Sequence, residues 1–139
     1  MSKPNVGIAV DGSCINNPGR GEYRGVDLAT GQILFLSKAY EDSTNNHVEF
    51  LAVVHALMYC KQHRLSIPIY TDSQTARAWV RDRRCGSSHV TSNPDLKNMI
   101  DRAVTFLRSN PAPKIETWNT RDWGEIVADY GRKGAFKRG

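Results

Sequence analysis

The chain is poor in the features that mark a membrane or secreted protein. No stretch approaches the roughly 18 consecutive apolar residues of a membrane helix. The opening residues, Met1 to Gly12, lack the apolar run and small-residue cleavage site of a secretory signal. A cytoplasmic protein with no membrane partner is therefore expected. Cysteine is scarce and oddly counted: Cys14, Cys60 and Cys85, with no C-x-x-C spacing. That argues against both a disulfide framework and a zinc site, and reduced thiols are expected. The four histidines, His47, His55, His63 and His89, show no H-E-x-x-H pattern. Internal repeats and low-complexity linkers are also missing.

What is present fits one domain. The chain has 139 residues, 40% of them apolar, enough for a real core. A formal net charge of +5 suits a polyanionic partner without identifying one. A monomer is the simple expectation.

Asn5 to Asp11 alternates, with Val6, Ile8 and Val10 on one side and Gly7, Ala9 and Asp11 on the other. This predicts a strand ending at Asp11. A turn follows at Asn17-Pro18-Gly19. Glu22 to Asp27 and Gln32 to Tyr40 read as two more strands, joined around Ala29-Thr30-Gly31. Asn45 or Asn46 can cap a helix from His47 to His63, apolar almost all round and so buried on most sides. Ile67 to Thr71 is a short strand, expected parallel to the first by a right-handed crossover. Ser73 caps a second helix through Asp82, and Arg83 to Ser92 is polar loop. Asn93-Pro94 starts a third helix to Ser109, with Leu96, Met99, Ile100, Ala103 and Leu107 on one face. Lys114 to Trp118 is a final strand, and Gly124 to Arg132 a terminal helix. The order is βββαβααβα: an α/β fold with a five-stranded mixed sheet and helices on both faces.

Sites in open α/β sheets form beyond the carboxyl ends of the strands. Asp11 and Asp72 each stand at such an end. If those strands are parallel neighbours, the two carboxylates emerge side by side. Glu49 lies in the first turn of a mostly buried helix, where an acid suits the dipole but is costly to bury unpaired. Glu125 and Asp129, four residues apart, share a face of the terminal helix. Singly, each acid reads as a turn former, a cap or a solvated charge. Together they would repel and raise each other's pKa values unless a hard cation removed the penalty. Oxygen-only ligation favours Mg²⁺ or Mn²⁺ over zinc, and two such ions serve phosphodiester hydrolysis.

Four segments resemble type 1 ribonuclease H. They are Asp11-Gly12-Ser13 with Asn17-Pro18-Gly19, Thr44 to Glu49, Tyr70 to Gln74, and Trp123 to Lys133. The last matches a compact bacterial subgroup whose final motif reads W-G-E-I-x-A-D-Y-G-R-K. The resemblance runs from Asn5 to Lys133. It implies a ribonuclease H-like fold, a catalytic domain over 1–133 and a basic tail over 134–139. It also implies an endonuclease that cuts the RNA strand of RNA–DNA hybrids with two Mg²⁺ ions, Mn²⁺ being a substitute. Asp11 would bridge both metals, Asp129 would complete one site, and Glu49 with Asp72 the other. Glu125 corresponds to a flexible catalytic acid beside them. Asn17, Asn45, Asn46 and Gln74 fall in the segments that contact the hybrid, whose 2′-hydroxyls both donate and accept. Thr44, Ser87 and Ser88 match positions that hold a DNA phosphate, and Trp79 an aromatic that packs on the DNA strand. Core packing would explain Trp79 equally well, and loop composition Ser87 and Ser88.

The sequence departs from the family in places. Only Arg81 to Ser88 fills the region where many relatives carry a basic, tryptophan-rich protrusion. No histidine follows His89, so Glu125 takes the place of a histidine that many relatives have before the last acid. Larger relatives carry an N-terminal hybrid-binding domain, which is not expected here. Asn16 stands where close relatives often have glycine. A different nuclease on the same fold and a non-catalytic hybrid-binding module are the competing readings.

Overall fold

The computed structural model describes residues 2–129. Six strands form one mixed sheet: β1 (Ile8–Ile15), β2 (Gly19–Asp27), β3 (Ile33–Leu36), β4 (Tyr40–Ser43), β5 (Ile69–Thr71) and β6 (Glu116–Thr117). The helices are α1 (Asn45–His63), α2 (Gln74–Asp82), α3 (Pro94–Ser109) and α4 (Thr120–Trp123). The strands run in the order β3-β2-β1-β5-β6, and β4 pairs with β2 off that path. β1, β2 and β3 are antiparallel, while β5 is parallel to β1 and β6 parallel to β5. Among the described residues no helix is long and apolar enough to cross a membrane.

The α/β architecture is the expected one, with several local corrections. The third strand breaks in two, so the sheet has six segments rather than five. The break falls at Ser37-Lys38-Ala39. There the Ser37 N–H bonds the Tyr23 carbonyl and the Ser37 hydroxyl accepts from the Tyr23 N–H at 2.8 Å. β1 continues to Ile15 instead of ending at Asp11. Its antiparallel ladder with β2 extends from Ile8 to Ile15, whereas β5 stops at Thr71. Asp11 thus marks the end of the parallel pairing, not of the strand. The turn at Asn17-Pro18 is where expected. Asn16 there has φ 56°, a left-handed conformation that glycine adopts without cost and asparagine tolerates.

Thr44, not Asn45 or Asn46, caps α1. Its hydroxyl accepts from the His47 N–H, and the His47 ring accepts from the Thr44 N–H. Ser73 and Asn93 cap α2 and α3 as expected. The expected terminal helix is absent over 124–129, where a short α4 and a turn take its place; residues 130–132 and the tail 134–139 lie outside the described residues. Gly124 has φ 79°, a value that ends α4 rather than starting a new helix.

The sheet separates two cores. Ile8, Val10 and Cys14 of β1 join Val48, Phe50, Leu51 and Val53 of α1, with Ala76 and Val80 of α2 and Leu96, Ala103 and Leu107 of α3. On the other face Ala9 and Val26 are covered by Trp118, Ile126 and Ala128, with Trp123 of α4 against them. The Trp118 indole N–H bonds the Gly124 carbonyl at 2.9 Å, and the Asp129 N–H the Ile126 carbonyl at 2.8 Å. The chain after α4 is therefore pinned to the sheet without helical structure.

α1 crosses β1 at Gly12. A Cβ there would stand 2.8 Å from the Val48 carbonyl carbon and 2.9 Å from its side chain. Gly12→Ala must push α1 off the sheet, and the expected cost is about 1–3 kcal/mol, the usual scale for overpacking. Urea unfolding measures it; an unchanged midpoint would show that the close approach is not required.

Candidate active site

The parallel register Ala9↔Tyr70 has an offset of 61 (70 − 9). Asp11 and Asp72 have the same offset (72 − 11), so they extend from the same level of adjacent strands. α1 supplies the third acid. Glu49 Oε1 accepts from the Gly12 N–H at 2.5 Å, a contact made possible by the bare glycine backbone. Carboxylate oxygens of Asp11, Glu49 and Asp72 all lie within 4.8 Å of one another.

Asp11 is 5% exposed and Glu49 9%, with Asp72 more open. Burial pushes the Glu49 carboxyl well above the usual carboxylate range, and the charges of Asp11 and Asp72 push it further. The Gly12 hydrogen bond opposes the shift without cancelling it. Three crowded acids, two of them buried, form a site that favours positive charge. The donors are all hard oxygens, which fits Mg²⁺, Mn²⁺ or Ca²⁺ rather than a soft thiophilic metal.

Asp129 and Glu125 are not members of that group. Without a helix over 124–129 the two do not share a helical face, so the expected i, i+4 pairing is corrected. Glu125 is exposed in the turn before buried Ile126. Asp129 is half-buried and its backbone is held by Arg24. Arg24 pairs across the ladder with Asp11, so both side chains stand on the face covered by the C-terminal chain. Its guanidinium donates to the Ala128 carbonyl at 2.8 Å and to the Asp129 carbonyl at 2.5 Å. Arg24 is a positioning residue that sequence reading missed. Its signal was a cation standing on the same face as Ala9, Asp11 and Val26.

The predicted hybrid contacts fall into two groups. Asn17, Asn45 and Asn46 are exposed together where the β1–β2 turn meets the start of α1. The Asn17 Oδ1 accepts from the Asn45 N–H at 2.9 Å, and the Asn45 Oδ1 accepts from the Cys14 N–H at 2.7 Å. The Thr44 hydroxyl is engaged as the α1 cap. Gln74, exposed at the start of α2, accepts through Oε1 from Arg77 at 2.8 Å. In all three bonded amides the oxygen is occupied by a protein donor. The NH₂ groups of Asn17 and Asn45 are thereby the ends turned outward, and they can only donate; that of Gln74 donates to the Thr117 hydroxyl in a long bond of 3.4 Å.

The remaining positions lie elsewhere. Trp79 is half-buried, its ring edge-on to Phe50 at 5.8 Å, so it is at least a core residue. The Ser87 hydroxyl accepts from the His89 N–H and donates to the His89 carbonyl, both at 3.1 Å, and Ser88 is exposed. This loop is tied to β4 by Asp42. The Asp42 carboxylate accepts from the Ser92 N–H at 2.6 Å, the Ser92 hydroxyl at 2.9 Å and the Thr91 hydroxyl at 3.2 Å, and contacts His89 Nε2 at 2.9 Å. These bonds hold its carboxyl far below the usual range.

Comparison with known proteins identifies the family. The family described as RNase H matches residues 3–118. The chain is 40% identical over 103 residues to the ribonuclease H of Nitratidesulfovibrio vulgaris, covering 70% of this chain and 65% of that protein, just under two thirds of its length. It is 34% identical over 115 residues to the ribonuclease H of Desulforamulus reducens, covering 73% and 69%. Among solved structures, the N-terminal RNase H domain of a Mycobacterium tuberculosis protein, fused to maltose binding protein, aligns with a TM-score of 0.51. That alignment has 21% identity and covers 84% of this chain and 89% of that one, a likeness of fold alone.

Crowded carboxylates cost the metal-free protein stability. Asp11→Asn should raise the melting temperature by several degrees in chelator. Millimolar Mg²⁺ should raise that of the parent protein and leave the variant nearly unmoved, as linkage requires of an ion bound only by the folded acid cluster. Calorimetry with and without Mg²⁺ reads both effects. A parent protein indifferent to Mg²⁺ and Mn²⁺ would contradict the cation site.

Proposed function

Because the chain belongs to the RNase H family, we propose that it is a ribonuclease H, a metal-dependent endonuclease that hydrolyses the RNA strand of RNA–DNA hybrids and leaves 5′-phosphate and 3′-hydroxyl ends. The observation that carries this reading is the convergence of Asp11, Glu49 and Asp72. The W-G-E-I-x-A-D-Y-G-R-K pattern from Trp123 to Lys133 supports placing it in the compact bacterial type 1 subgroup.

Asp11, Glu49, Asp72 and Asp129 would hold two Mg²⁺ ions, or Mn²⁺ in their place. Bound there, divalent ions would acidify the attacking water and neutralise charge on the scissile phosphate and leaving oxygen. The protein's own residues do the rest. The Gly12 N–H holds the Glu49 carboxylate at the head of β1. Arg24 anchors the Asp129 backbone beside the strand that carries Asp11. Glu125, exposed in its turn, would assist from outside the three-acid group.

Substrate choice follows from the fixed amides. A 2′-hydroxyl oxygen and the minor-groove acceptors of the bases are the partners that donor-only amides seek. Asn17 and Asn45 present such donors with Asn46 exposed beside them, and Gln74 offers one that must exchange its long bond to Thr117 for the substrate. Thr44, Ser87, Ser88 and Trp79 would meet the DNA strand. A DNA duplex lacks the 2′-hydroxyls and should be a poor substrate.

Incubating a labelled hybrid with the protein tests the reading. Asp72→Asn should keep hybrid binding and lose several orders of magnitude in cleavage rate; near-normal turnover would remove the metal-site assignment. Gln74→Ala should weaken hybrid binding by about 1–2 kcal/mol. Gln74→Glu, which offers an acceptor and a negative charge where a donor is needed, should weaken it more. Equal affinity in the two variants would show that the donor is not read. Arg24→Gln should lower the cleavage rate at saturating hybrid without changing affinity, because it releases Asp129 rather than a nucleic-acid contact.

A further inference from the structure

Two cavities on the α2 side of the molecule share a wall. One, of about 600 Å³, includes Asp72 and reaches Asn119 and Trp123. The other, of about 450 Å³, lies between α2 and the chain leading into β6. Gln74, Arg77 and Lys114 line both, so the two cavities lie side by side along α2, the first of them opening beside Asp72. Their character differs. The first carries Asp72 and Glu116. The second is lined by Arg77, Arg81, Arg83 and Lys114, with no acid among its lining residues.

The cations differ in how firmly they are held. Arg77 Nε donates to the Ile115 carbonyl at 2.8 Å and Nη1 to Gln74 Oε1 at 2.8 Å, so its guanidinium is fixed at the junction. Arg81 shares its charge with Asp82 at 3.0 Å. Arg83 and Lys114 are exposed at the cavity and line it from opposite sides, one after α2 and one before β6. Arg83 ends α2 in a left-handed conformation with φ 58°, and its N–H bonds the Val80 carbonyl at 3.2 Å, which places the residue at the helix terminus.

We propose that this second cavity is a backbone-phosphate subsite for the strand whose minor-groove edge Gln74 contacts, displaced to one side of the scissile bond. The inference rests on the hybrid-nuclease reading. Its chemistry is that of phosphodiesters: a concave wall with guanidinium and ammonium donors, and no carboxylate among its lining residues, attracts a chain of monoanionic phosphates. The neighbouring cavity beside Asp72 gives that chain a direction toward the acid site. The subsite extends the contact surface to one flank of the cleavage point, in a protein where only the short segment 83–93 joins α2 to α3.

The test measures hybrid affinity in chelator, where no cutting occurs, against salt concentration. The double variant Arg83→Gln with Lys114→Gln should weaken binding of a long hybrid severalfold. It should lower the slope of log affinity against log salt by about 1.5, roughly 0.7–0.9 for each phosphate contact removed. Hybrids trimmed from one flank or the other of a fixed cleavage site complete the test. The variant's deficit should vanish when one flank is shortened and persist when the other is. An unchanged slope, or a deficit insensitive to which flank is trimmed, would overturn the subsite and leave the nuclease assignment standing. A parent protein that fails to bind any hybrid would overturn both.

Discussion

Everything in this site depends on how closely one helix can lie on one strand. Glu49 reaches the head of β1 only because Gly12 has no side chain between the strand backbone and α1. Burial of a carboxyl near two others is unfavourable on its own. The fold tolerates it because α1 is fixed by its apolar surround, from Val48 to Cys60, and by the Thr44–His47 cap at its start. Packing on three sides sets the position of the helix, and the helix then imposes the position of the acid. Stability elsewhere offsets a local electrostatic cost, and the product is a cavity edge that favours a divalent cation.

A second constraint acts through hydrogen-bond direction. A side-chain amide can donate or accept, and exposure alone leaves it undecided. Here backbone N–H groups and a guanidinium, which can only donate, occupy the oxygens of Asn17, Asn45 and Gln74. The exposed ends of Asn17 and Asn45 are thereby left as donors. Arg24 works in the same manner on the opposite side. Its two bonds to main-chain carbonyls hold the segment that carries Asp129 against β2. Glu49 comes from the helix side of the sheet, and the segment that carries Asp129 lies on the side of Trp118 and Ile126.

The sequence carried the sheet and the helices in its periodicities and caps. Alternation in Asn5 to Asp11 placed Asp11 with Ala9, and the parallel register then fixed it beside Asp72. Ser73 and Asn93 marked the starts of α2 and α3 correctly. What failed to show was tertiary. The ladder that carries β1 on to Ile15 is stabilised by β2, so hydrophobic alternation alone ended the strand too early. The Ser37 bond to Tyr23 that interrupts the third strand is likewise a long-range contact. Helical spacing suggested Gly124 to Arg132. Instead Ile126 and Ala128 are drawn flat onto the sheet, and Gly124 takes a positive φ. Arg24 carried no motif at all. Its role appears only when residue 24 and residue 129, distant in the chain, are seen bonded.

The central claim is that Asp11, Glu49 and Asp72 are held as a cation site by the fold itself. Crystals of the protein soaked in Mn²⁺ and measured for anomalous scattering test it directly. The account predicts a peak within coordination distance of carboxylate oxygens from all three acids. No peak at the acids in a protein that still cleaves hybrid, or a peak confined to other residues, would contradict it.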